Sequence, residues 1–178
     1  MKEVKTKSVN MTYKALLSYV LNTNYQSVAG IVSLGLSFAS IVVLILFWGQ
    51  LSGRSKALLL FMGLLFTVIN PLLLAFRTFK QFKLSPSYKK TIIYEFRDDG
   101  IGITQGEQTM TLTWDRIVRL LMTNTMIAIY TNRIHAFVIP LSELGGDRAK
   151  IIASLVQFTA QYGPRLSGNL KVYETGKQ

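Results

Sequence analysis

Two runs of this chain carry no charged residue: residues 28–48, VAGIVSLGLSFASIVVLILFW, and residues 57–76, ALLLFMGLLFTVINPLLLAF. At 1.5 Å of rise per residue, about 20 helical residues cross the roughly 30 Å hydrocarbon core of a bilayer. A helix in the core of a soluble protein normally shows a polar face over such a length. A cleaved leader has a shorter apolar region near its start and is not followed at once by a second run. The pattern therefore predicts a retained transmembrane hairpin. Residues 49–56, GQLSGRSK, are short and rich in Gly and Ser, as a turn between antiparallel spans requires. The composition agrees, with 49% hydrophobic and only 16% charged residues, against about 25% charged in an average globular chain.

The formal charge of +11 is unevenly placed. Before the first run stand Lys2, Lys5, Lys7 and Lys14 against Glu3, and directly after the second stand Arg77, Lys80, Lys83, Lys89 and Lys90 with no acid. The intervening link holds Arg54 and Lys56, while residues 91–178 hold nine bases and eight acids and are nearly neutral. A nucleic-acid binder concentrates its basic residues on the folded domain, so nucleic acid is not an expected partner. The positive-inside rule instead places both termini in the cytoplasm of a multi-pass cell-membrane protein. Arg77, Lys80, Lys83, Lys89 and Lys90 form a basic collar for the anionic inner leaflet, each base worth about 1 kcal/mol near the surface. Phe76, Phe79 and Phe82 alternate with it, and Trp48 suits the headgroup level. Residues 12–25 place Leu16, Tyr19 and Val20 at helical spacing, which predicts a helix lying on the cytoplasmic interface.

Small residues at four-residue spacing let membrane helices approach closely. Ala29, Ser33 and Ser37 form one such set, and Gly35 and Ala39 another. Contact with the chain's own second span and a seam between copies in a homo-oligomer both fit. In the second run, Asn70-Pro71 is the polar break. Pro71 lacks an N–H and frees the carbonyl of Thr67, so a kink is expected, with Asn70 or a neighbouring helix satisfying the exposed groups. Neither run holds an ionisable residue, which argues against transport by this chain alone.

After Ser85-Pro86-Ser87 the texture changes to short alternating segments. Residues 91–96 (TIIYEF), 100–105 (GIGITQ), 109–114 (TMTLTW), 117–123, 126–131 and 134–140 read as six strands, separated by turns such as Asp98-Asp99-Gly100 and Gly106-Glu107. Trp114 reads as a core anchor. Asp147 then opens an amphipathic helix with Ile151, Ile152, Leu155, Val156 and Phe158 on one face, stopped at Gly163-Pro164. Residues 164–178 read as a flexible tail. Consecutive antiparallel strands and one closing helix predict a small barrel or sandwich at residues 91–163, joined by a linker at 77–90 to the hairpin at 28–76.

The motifs YEFRDDGIGI, TLTWDRI and FVIP, followed by an amphipathic helix and preceded by two spans, resemble the YcxB-like bacterial membrane proteins. The resemblance implies a C-terminal domain looking like a bacterial pleckstrin-homology fold. The fold class expected is thus a two-helix transmembrane hairpin plus a small mainly-β pleckstrin-homology-like barrel with a C-terminal α-helix. The shared motifs are turn residues and core anchors, and they bring no catalytic residues with them. The position after Ile139-Pro140 that often holds a base in the family is Leu141 here.

With no cysteine and one histidine, thiolate zinc sites, disulfides and thiol nucleophiles are excluded. Gly100, Gly102 and Gly106 lack the spacing and the strand-to-helix junction of a dinucleotide loop. His135 has no sequence-marked acid or serine partner, and Asp98 and Asp99 read as turn residues. Asp115, Arg116 and Arg119 form a candidate polar rim for a partner. The expectation is a non-enzymatic protein without cofactor or metal, whose membrane-held domain is a protein-interaction module for an unidentified membrane or cytoplasmic protein. The alternative is an accessory or self-immunity protein acting through its hairpin within a membrane complex.

Overall fold

A computed structural model describes residues 5–133 and 135–170. The elements run β1 (Lys5–Val9), α1 (Tyr13–Tyr25), α2 (Val28–Leu46), α3 (Gly53–Leu64), a π-helical turn (Leu65–Ile69), α4 (Asn70–Leu84), β2 (Ile92–Phe96), β3 (Gly100–Gln105), β4 (Gln108–Thr113), β5 (Arg119–Met122), β6 (Met126–Tyr130), β7 (Ala136–Pro140), α5 (Arg148–Ala160) and β8 (Arg165–Gly168). They fall into two compact units, Val20–Lys83 and Met1–Tyr19 with Leu84–Gln178. The boundary falls within α1.

In the helical unit, α2 and the continuous helix Gly53–Leu84 are each long and apolar enough to cross a membrane. Their large side chains point outward. Val28 is 80% exposed and Phe38 69%, a surface suited to hydrocarbon. Ser27 caps α2 by accepting the Gly30 N–H, and Ser52 caps α3 by accepting the Ser55 N–H, so the link is a turn between two capped helices.

The other unit is mainly β. One sheet has the order β1-β2-β3-β4 and the second β7-β6-β5-β8. All six strands read from the sequence are present, although Ile134, the expected start of the sixth, lies outside the described residues. The ladders do not close into one barrel. A 3₁₀ turn at Trp114–Arg116 separates β4 from β5 and leaves two sheets around one core. That core joins Tyr94, Phe96, Ile101, Ile103 and Leu112 of the first sheet to Leu120, Ile127, Ile129 and Ile139 of the second. Ile151, Ile152 and Leu155 of α5 complete it, as their helical spacing predicts. Trp114, 2% exposed, stacks on Phe158 at 5.1 Å between ring centroids, and its indole N–H donates to the carbonyls of Arg97 and Asp98. Burial pushes the Tyr94 phenol far above its usual range, so it stays neutral in the core.

Three parts of the sequence reading are corrected. The N-terminal segment holds a strand that the sequence did not announce: Lys5–Val9 pairs antiparallel with β2, Lys5 opposite Phe96 and Val9 opposite Ile92. The apolar side of α1 does not lie on the interface along its first half. Ala15 packs against Leu121, Met126, Ala128, Tyr130 and Val138, with Tyr19 against the same cluster. The second sheet is therefore covered on both faces, which is why MIAIY in β6 is buried at every position instead of alternating. The tail is ordered at its start, because Arg165–Gly168 pairs parallel with β5. Its unread signal is Gly168 at φ +64°, where an added Cβ would collide with the Met122 carbonyl. The rest of the expected tail, residues 171–178, and Lys2 and Glu3 lie outside the described residues.

Two outcomes follow. Ala15→Leu, at a fully buried position in the cluster on the second sheet, should lower the stability of the β unit by about 1–3 kcal/mol, the cost of overpacking a core, and reduce hydrogen-exchange protection in β5 to β7. An interface-bound Ala15 would leave that protection untouched. Gly168→Ala should cost about 1–3 kcal/mol through backbone strain, seen as a lowered thermal midpoint with exchange rising first in β8.

Candidate functional site

The helical unit is organised by polar groups that hydrocarbon would leave unpaired. Ser37, fully buried, donates its hydroxyl to the Met62 carbonyl at 2.9 Å. Opposite it, a Cβ on Gly63 would lie 2.5 Å from Ile41 Cγ1, so Gly63 marks the close approach of α3 to α2. Ser40, which the spacing argument passed over, is also buried and bonds back to the Leu36 carbonyl. Ser33 is half-buried, but Ala29, Gly35 and Ala39 are exposed, and nothing lies within 4 Å of a Cβ placed on Gly35. The small residues thus divide between an inward set and an outward set, a division that depends on helix rotation.

At the Asn70-Pro71 break the helix widens to π geometry, and Asn70 N–H bonds the Leu65 carbonyl five residues back. In that register Pro71 would bond Phe66, and it has no N–H to do so. The Phe66 carbonyl, five residues before Pro71, is thereby left without a helical donor. The Tyr25 hydroxyl donates to Phe66 O at 2.9 Å, while Asn70 Nδ2 donates to Asn24 Oδ1 and to the Tyr25 hydroxyl. Thr67 bonds back to the Gly63 carbonyl. Leu21, Tyr25, Leu34, Phe66, Thr67 and Pro71 line an apolar groove of about 390 Å³ beside this node. It can accept an apolar group but offers little for recognising a charged one.

The basic collar begins on α4. Arg77, Lys80 and Lys83 are exposed at three-residue spacing and sweep an arc beside Phe76 and Phe79, with Lys83 Nζ 5.2 Å from the Phe79 ring centroid. The continuous helix Gly53–Leu84 has 32 residues, about 48 Å at 1.5 Å each, longer than the roughly 30 Å hydrocarbon core of a bilayer. At the other end Lys56 Nζ lies 4.6 Å from the Trp48 ring centroid, a cation–π pair at the helix link. Lys89 and Lys90 are exposed in the β unit, next to a 3₁₀ turn at Pro86–Lys89.

Of the expected polar rim, Asp115 and Arg116 are exposed on the 3₁₀ turn after β4, beside Val118, which is 50% exposed. Arg119 is half-buried, its guanidinium 3.9 Å from the ring centroid of the buried Tyr130. The N-terminal segment supplies polar contacts that the sequence did not announce. Lys7 pairs with Asp147 at 3.4 Å, the Asn10 N–H donates to Glu143, and Thr91 donates to Asn10. These link β1 and its exit to the 3₁₀ turns between β7 and α5 and to the entry of β2. His135 is exposed and its backbone N–H is held by Asn132. Among the described residues no three His, Asp or Glu side chains converge as metal ligands would.

Residues 96–153, from the end of β2 into α5, match the family model of YcxB-like proteins. This segment is YcxB-like. It carries the turn that joins β2 to β3, Trp114, and the Ile139-Pro140 end of β7. No curated protein and no solved structure matches the chain.

Tyr25→Phe should leave the Phe66 carbonyl without its donor and destabilise the helical unit by about 1 kcal/mol, the scale of a hydrogen bond between membrane helices. Reversible unfolding in detergent micelles measures it, and the β unit should keep its exchange protection.

Proposed function

We propose that this chain is a non-enzymatic interaction protein of the cell membrane, whose pleckstrin-homology-like β unit is held at the cytoplasmic surface to receive a protein partner. The observation that carries this reading is the pairing of β1 with β2. One strand precedes the apolar hairpin and the other follows it, so the hairpin is an insertion into the β unit. A hairpin that crosses and recrosses the bilayer returns the chain to the side it left, which supports termini on one side. Four lysines before it and five bases after it, against two in the link, favour the cytoplasmic side. The collar's exposed bases suit anionic lipid of the inner leaflet. Confinement to two dimensions raises the effective concentration of any partner sharing the membrane.

The absence of cysteine makes the orientation directly testable. Gln50→Cys should react with an impermeant maleimide on intact cells, and Lys89→Cys only after lysis. Labelling in the reverse sense would overturn the cytoplasmic placement.

A second reading, an accessory or self-immunity protein working through the hairpin, draws on the outward Gly35 and Ala39. Crosslinking and pull-down from native membrane separate the two. In the first reading, the charge reversal Asp115→Lys/Arg116→Glu should reduce partner capture at least tenfold, while Gly35→Leu leaves it intact. Loss confined to Gly35→Leu would move the function to the hairpin.

A further inference from the structure

Among the described residues four strands end a sheet: β1, β4, β7 and β8. Natural edges are guarded by charge, proline or shortness, because an open row of N–H and C=O groups templates another strand. β1 carries Lys7, ion-paired to Asp147. β7 closes at Pro140, and β8 is four residues long, follows Pro164 and ends at Gly168. β4 is different. Its six residues, Gln108-Thr109-Met110-Thr111-Leu112-Thr113, contain no charge, proline or glycine.

The pairing with β3 determines which groups face outward. Gly106-Glu107 is a two-residue hairpin turn with Gly106 at φ +63°, and Gln105 lies opposite Gln108. The residues flanking such a turn exchange hydrogen bonds, and bonded and non-bonded pairs alternate from there. Gln108, Met110 and Leu112 therefore bond β3, while the N–H and C=O groups of Thr109, Thr111 and Thr113 point away from the sheet. The hydroxyls of Thr104 and Thr109, 3.2 Å apart, agree with that non-bonded position. Those outward groups have no backbone partner among the described residues.

We infer that β4 pairs with β4 of a second copy of this chain, antiparallel about a two-fold axis through Thr111, joining two four-stranded sheets into one. The inference deepens the interaction reading above by naming one occupant of the β unit. The outward groups are symmetric about Thr111: it faces its own counterpart, and Thr109 faces Thr113 of the partner subunit. All three positions are then hydrogen-bonded pairs, and the even spacing keeps threonine opposite threonine on one face of the sheet. On the other face, Met110 meets Leu112 of the partner subunit. Met110 lies opposite the buried Ile103, yet is 48% exposed, and this contact covers it. With no charge on the strand, like pairs with like without repulsion. Strand pairing alone buries less than the 1,200 Å² or so of a stable interface, so the contact belongs to copies concentrated in one membrane.

Thr111→Cys supplies a single thiol in the full-length chain. In a hydrogen-bonded antiparallel pair the Cα atoms are about 5.5 Å apart, within disulfide reach. Oxidation in native membranes should give a dimer band at least tenfold stronger than Lys7→Cys gives on the β1 edge. Adding Thr109→Lys should abolish the band by placing a charge in the seam. Thr109→Pro should do the same while sparing the β3 ladder, since the lost N–H points outward. Equal bands from the two single thiols, a Thr111→Cys band that survives both second substitutions, or a thiol joined only to a different protein would each overturn the inference. Capture of another partner through Asp115 and Arg116 would persist in that case, so the two readings fail separately.

Discussion

The antiparallel pairing of Lys5–Val9 with Ile92–Phe96 is the contact on which the rest of the architecture depends. It joins segments separated by the entire helical hairpin, a closure that in a flexible chain would carry a substantial entropic cost. Two antiparallel helices joined by a short capped turn bring the chain back toward its starting point and reduce that cost. Lys7–Asp147, Asn10–Glu143 and Thr91–Asn10 then tie the same strand and its exit to the turns that precede α5 and to the entry of β2. Through this pairing the β unit has two covalent connections to the hairpin in place of the single linker that chain order suggests.

Within the helices the governing constraint is the satisfaction of polar groups in an apolar setting. Each polar group described along the inner seam finds a partner inside the unit: Ser37 on Met62, Thr67 on Gly63, Tyr25 on Phe66, and Asn70 on Asn24 and Tyr25. Asn70 and Pro71 thus have a structural account that needs no ligand. The π turn is the local adjustment that allows a proline inside a long helix, and it moves the orphaned carbonyl to within reach of a tyrosine on α1.

Much of the β unit was legible because its signals are local. Trp114, the turn glycines, and the face shared by Ile151, Ile152 and Leu155 each report on their immediate neighbours. The basic collar was legible for the same reason, since Arg77, Lys80 and Lys83 need only a continued helix to share one side. The contact of Arg119 with the Tyr130 ring could not be read, because only the fold places that ring beneath it. Ser40 and Gly63 were missed because the packed side of α2 depends on the rotation of its neighbour.

From sequence alone follow the two apolar spans, the asymmetry of charge around them, six strands, the closing helix and the exclusion of thiol and thiolate-metal chemistry. Periodicity and composition act over a few residues, and that is the range of these conclusions. The tertiary structure decided that Lys5–Val9 and Arg165–Gly168 are strands, that the start of α1 covers a sheet, and that the ladder stays open at Trp114–Arg116. Short segments such as KTKSV and RLSG carry too little intrinsic preference to be strands unaided. They become strands because a distant sheet offers unpaired backbone at the right register, and that information lies in the partner strand.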